Sequence, residues 1–145
     1  MIKVWNLQKN VSIPAKMREN MRTAALFTLI SLKHFSQKHS PDRNIIFVND
    51  KEIIKLNFRF LNRKNITDVI TFNYPEDKAD IYINAPQCAR QAKEHQQLFS
   101  EELTRVVIHG MLHSYDWKDY TKKQSSLMWE KQEYILQAFM GLEGK

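Results

Sequence analysis

Apolar positions along the 145-residue chain recur with two periods, near 3.6 and near 2, and the changes between them predict the elements. Residues 3–7 predict a short edge strand. Pro14 suits a first helical position, and after it Met17, Met21, Ala24, Ala25, Thr28, Leu32 and Phe35 recur at helical spacing until Ser40-Pro41 forbids continuation. The compact apolar run 45–48 predicts a buried strand. Asn49 followed by Glu52 has the form of a capping box, and Ile53, Leu56 and Phe60 continue as a helix. Residues 68–72, DVITF, predict another strand. A loop over 73–79 carrying Pro75 leads into a strand over 80–84, with Ile81 and Ile83 on one face.

Asn84-Ala85-Pro86-Gln87 then opens a short helix to about residue 97, and Ser100-Glu101-Glu102 opens a second to about residue 115, with carboxylates where the helix dipole favours them. Thr121 and Gln124 pair as a cap for a closing helix with an apolar stripe of Leu127, Met128, Ile135, Leu136 and Phe139. Helices and strands are mixed without strict alternation. The pattern predicts one α+β domain over residues 1–145, a small mixed β-sheet backed by helices.

Composition narrows the classes. Apolar residues make up 43% and charged residues 26%, the balance of a folded globular chain. Lysine and arginine number 22 against 16 acidic residues, a net charge of +6 that favours a polyanionic partner, nucleic acid above all; a merely basic protein fits the same number. Cys88 is the single cysteine, which excludes an internal disulfide and a multi-cysteine cluster and reads as a small buried residue at a helix start. Glycine stands only at 110, 141 and 144, so no Gly-rich phosphate loop exists. No early apolar run has signal-peptide length, and the near-apolar stretch 24–30 falls far short of a membrane span. A cytosolic protein without membrane contact is expected.

Candidate chemistry concentrates in residues 106–119, VVIHGMLHSYDWKD. His109 and His113 stand four apart in a helical context, so both imidazoles leave one face close enough to share an ion. Two such histidines also arise by chance. Neutral imidazole is a common zinc ligand, and a catalytic site needs a third ligand plus an open position. Asp119 supplies that carboxylate if the helix ends near Asp116 and the chain folds back, a turn that asks for a left-handed residue. His34, His39 and His95 are weaker competitors, because nothing local orients them towards the pair. Gly110, inside an otherwise good helix, costs about 1 kcal/mol against alanine and so implies a close approach by a neighbour or a substrate. It also occupies the place where the metalloprotease pattern H-E-x-x-H carries its base, which disfavours a zinc peptidase.

His109-Gly110-Met111-Leu112-His113, with Asp119 six residues on, resembles the H-G-x-L-H signature of the YbeY family of bacterial rRNA-maturation endoribonucleases, in which the third ligand is usually histidine. Upstream, Leu56-Asn57 and Thr67-Asp68-Val69-Ile70-Thr71-Phe72 are similar to the family's L-N and T-D-V-L-S-F blocks. Asp80-Ile81-Tyr82-Ile83 resembles its G-D-I-x-I strand, with Ala79 in place of glycine. The chain departs from the family at Asp119, in the glycine-free stretch 114–118, and at Leu61, where the family's arginine falls.

The resemblance implies a single α+β domain holding one Zn2+ on His109, His113 and Asp119. It implies metal-assisted cleavage of RNA phosphodiesters in 16S rRNA 3′-end maturation and ribosome quality control. Arg59 or Arg63 would stand in for the missing arginine on phosphate, and Asp116 is a candidate base as well as a helix-end turn residue. Lys55, Lys64, Arg90 and Lys93 extend the basic surface, and Trp117 is a candidate base-stacking residue as well as a core one. The implied partners are rRNA and ribosomal particles, with ribosomal proteins or an assembly GTPase beside them. The rival reading is an RNA-binding assembly factor whose metal only fixes the last two helices.

Overall fold

The computed structural model describes residues 1–32 and 41–143. Phe35, His34, His39 and the helix stop expected at Ser40 lie outside the described residues. Four strands, β1 (Ile2–Asn6), β2 (Asp42–Val48), β3 (Val69–Tyr74) and β4 (Lys78–Asn84), form one sheet in the order β1-β2-β4-β3. β1, β2 and β4 are parallel, and β3 runs antiparallel to β4. The helices are α1 (Ala15–Ser31), α2 (Asp50–Leu61), α3 (Ala85–Glu94), α4 (Phe99–His113) and α5 (Lys122–Glu143). This is the expected α+β architecture.

Side-chain alternation decides which helix covers which face. In β2, Ile45 and Phe47 join Met21 and Leu29 of α1 and Leu103, Val107 and Met111 of α4. Ile46 and Val48 meet Ile53 of α2 and Ile70 of β3 on the opposite face. Behind α4, Ile108 and Leu112 pack on Met128, Ile135 and Leu136 of α5. α4 is therefore buried between sheet and helix, which is why its sequence is apolar nearly all round. Among the described residues no helix is long and apolar enough to cross a membrane.

Several boundaries move for local reasons. Pro14 stays extended (ψ 163°) and precedes α1 rather than opening it. α3 stops at Glu94, because Gln96 turns left-handed (φ 55°). α4 begins at Phe99 without a side-chain cap, not at Ser100. The loop expected over 73–79 shrinks to a tight turn, since β3 and β4 pair as far as Tyr74 and Lys78. Leu127 is 51% exposed rather than part of the α5 stripe; the buried face runs through 128, 132, 135, 136 and 139, and 127 lies about 100° off it. Both capping pairs form: Asn49 accepts from the Glu52 N–H, and Thr121 and Gln124 bond reciprocally at 3.1 and 3.2 Å. Cys88 is fully buried, and that burial pushes its thiol pKa well up.

Candidate metal centre

The site begins with the way α4 meets the sheet. A Cβ at Gly110 would stand 2.5 Å from Cγ2 of Ile81 and 3.2 Å from Cγ2 of Val69, so glycine is what lets the helix sit against β3 and β4. Thr71 of β3 donates to the Gly110 carbonyl at 3.3 Å, and the Asn73 amide donates to the His113 carbonyl at 3.2 Å. α4 then ends in a left-handed turn of the kind usually closed by glycine. The Asp116 N–H reaches the His113 carbonyl at 3.1 Å, the Trp117 N–H reaches the Leu112 carbonyl at 3.2 Å, and Asp116 takes φ 66°. That turn carries Asp119 back to the histidines.

The ligand atoms of His109, His113 and Asp119 converge within 4.8 Å of one another. The two Nε2 atoms lie 3.0 Å apart, and Oδ2 of Asp119 is 3.7 Å from that of His109 and 3.4 Å from that of His113. A tetrahedral ion with bonds of about 2.0–2.1 Å sets its ligand atoms about 3.3 Å apart, so these spacings suit one ion. The remaining ring nitrogens are engaged. His109 donates from Nδ1 to Oε1 of Gln132 at 2.6 Å, and His113 donates from Nδ1 to the Trp117 carbonyl at 2.9 Å. Both bonds select the tautomer whose Nε2 lone pair faces the ion position. Burial, followed by the neighbouring His109, holds the His113 pKa below its ordinary value and favours the neutral, ligating ring. The residues present fit a divalent metal with an open coordination position.

Gln132 is 2% exposed, and its amide also donates to Glu133 at 3.1 Å. That second bond leaves its oxygen for His109. Sequence reasoning missed it; the available signal was a polar residue standing on the buried stripe of α5.

A cavity of about 370 Å³ opens in front of the three ligands. Arg63 and Lys118 line it, together with Asn57, Asn65, Thr67 and Tyr120. Lys118 was not singled out in the sequence, although it adjoins Asp119. Leu61, at the family's arginine position, lines the same wall. Arg59 is not among the lining residues; its guanidinium lies 5.4 Å from the centre of the Phe60 ring. Asp116 borders a different recess with Arg43 and Asp77. Trp117 packs against the α4–α5 core, and His95 lines a separate cavity beside the centre. Of the outlying basic residues, Lys55 pairs with Glu52 at 3.5 Å and Arg90 with Asp50 at 2.6 Å.

A small α+β domain that ends a buried helix in two histidines and folds a carboxylate back onto them carries the donor set of a metalloenzyme. The family described as "Endoribonuclease YbeY" matches residues 3–140. A relative of that description from Flavobacterium psychrophilum is 33% identical over 133 residues, covering 90% of this chain and 94% of its own. Another, from Carboxydothermus hydrogenoformans, is 30% identical over 148 aligned positions, covering 99% of both. A solution structure of a Thermotoga maritima protein superposes with a TM-score of 0.68 at 28% identity, covering 97% of this chain and 90% of that one. The chain belongs to the YbeY endoribonuclease family.

Proposed function

We propose that this chain is a zinc-dependent endoribonuclease of 16S rRNA 3′-end maturation and ribosome quality control, acting in the cytoplasm on rRNA within ribosomal particles. Ribosomal proteins or an assembly GTPase are the partners this reading expects. The observation that carries the catalytic part is the convergence of His109, His113 and Asp119 at the mouth of a cavity that also holds Arg63 and Lys118. Three protein ligands leave an open position, whereas structural zinc sites are normally closed by four. This favours catalysis over a metal that only pins helices.

His109, His113 and Asp119 would hold the ion, which when bound supplies positive charge to a phosphoryl oxygen and brings the pKa of water towards about 7. Arg63 takes the place of the family's arginine, because it lines the cavity where Arg59 does not. Its planar fork suits two phosphate oxygens, and Lys118 adds a point charge beside it. Asp116 serves through the turn that delivers Asp119. The test is cleavage of a 16S precursor 3′ end by wild type and His113→Ala. The variant is expected to keep its circular dichroism spectrum and RNA binding and to lose cleavage. Undiminished cleavage overturns the catalytic reading.

A further inference from the structure

A second cavity, of about 550 Å³, lies on the other side of His109 and shares only His109 and Asp68 with the first. Its chemistry is different. Where the ligand cavity sets Arg63 and Lys118 beside Asp68 and Asp119, this one sets Glu102 and Glu133 beside Asp68, with His95 and Arg105 as its basic side chains. Arg105 is already committed: it bonds Glu133 at 2.9 and 3.0 Å, Glu102 at 2.7 Å and Gln97 at 2.5 Å. A phosphate entering here would meet three carboxylates with no lysine and no uncommitted arginine among the lining residues to offset them. The floor is cross-linked by hydrogen bonds: Glu102 is 2% exposed, and Gln91 bridges it to Asp68 with bonds of 3.2 and 3.3 Å.

Two polar groups of the wall are unspent among the described residues, and beside them stands an exposed indole whose ring centre lies 6.0 Å from the Arg105 guanidinium. Oδ1 of Asp68 accepts no hydrogen bond, the Gln97 amide N–H2 donates none, and the indole of Trp129 lines the cavity while 58% exposed. An exposed tryptophan next to the buried Met128 is an expensive choice for a water-facing helix position and a good one for stacking. An acceptor, a donor and an aromatic face are what recognise the edge and plane of a nucleobase.

We infer that this cavity is a nucleobase subsite, in which the base next to the scissile phosphate stacks on Trp129 and presents an amino group to Asp68. It rests on the endoribonuclease reading and adds a division of labour: backbone phosphate on the Arg63 and Lys118 side of His109, base on the Trp129 side. A lone carboxylate oxygen accepts from the exocyclic amine of adenine, cytosine or guanine. Uracil has no such amine and flanks its N–H with two carbonyls, so it is the disfavoured base.

The test separates binding from cleavage. In the His113→Ala background, binding of short oligo(A), oligo(C) and oligo(U) is followed by fluorescence anisotropy. Trp129→Ala, Trp129→Phe and Asp68→Asn are each added, with Trp5→Ala as a control on the distant edge strand. Oligo(A) and oligo(C) are expected to bind more tightly than oligo(U). Trp129→Ala should weaken them by about tenfold, within the range for loss of one stacked base, and Trp129→Phe should restore most of it. Asp68→Asn should erase the preference over oligo(U), and Trp5→Ala should change nothing. Equal binding of the three oligomers, or undiminished binding of oligo(A) and oligo(C) on Trp129→Ala, overturns the subsite. A wild type that binds with this preference but cuts no RNA would instead overturn the endoribonuclease reading and leave the base pocket standing.

Discussion

Gly110 shows how one residue sets the distance between a helix and a sheet. The sequence exposes it as an oddity, a helix-weakening residue between two histidines, and the structure supplies the reason in the 2.5 Å that a Cβ would leave to Ile81. Ile81 is fully buried and its Cγ2 sits on a branched carbon, so it cannot swing aside cheaply. Gly110→Ala should therefore lower stability by about 1–3 kcal/mol through overpacking, against the roughly 1 kcal/mol that alanine offers a helix. Chemical denaturation of the variant checks the sign. Gln132 makes the complementary point about a polar residue. Gln132→Leu keeps volume but leaves Nδ1 of His109 without its acceptor, and metal affinity should fall about 10- to 100-fold by competition with a chromophoric chelator.

At the scale of elements, the C-terminal end of α4 is held by a residue remote in sequence. Arg43 of β2 is 1% exposed and bonds the Ser114 hydroxyl at 2.9 Å, the Asp77 carbonyl at 2.7 Å and the Asp77 carboxylate at 2.7 Å. Its guanidinium also lies 4.4 Å from the centre of the Tyr115 ring. One side chain thus ties the β3–β4 turn to the end of α4, just before the turn that delivers Asp119. Arg43→Ala strands partly buried acceptors and should destabilise the fold by about 3–5 kcal/mol, read from the thermal or urea midpoint. Helix and strand positions, both capping pairs and the histidine spacing were legible in the chain, because each depends on neighbours within a turn or two. Arg43 was not, since its partners lie 34 and 71 residues away. The sheet order was equally hidden, because pairing β2 with β4 rather than β3 is settled by how the helices cover the two faces.

For the whole molecule, the sheet and α5 clamp α4 so that its last turn projects two imidazoles at the boundary between two cavities. One carries Arg63 and Lys118 on its wall, the other Glu102, Glu133 and the Trp129 indole. The net charge of +6 favours a polyanionic partner, and in the proposed reading the local distribution separates phosphate from base. The sequence pointed to the three candidate ligands and left the arginine open between 59 and 63; only the path of the chain after α2 puts Arg63 on the cavity wall. The proposed function depends on Asp119 joining His109 and His113 as a third ligand. The most direct measurement is the metal content of protein purified without chelators, wild type beside Asp119→Ala, by mass spectrometry of the elements. One zinc per wild-type chain is expected, with a substoichiometric amount in the variant and its fold intact. A folded wild type that carries no metal and takes up none on titration with zinc would contradict the proposed function.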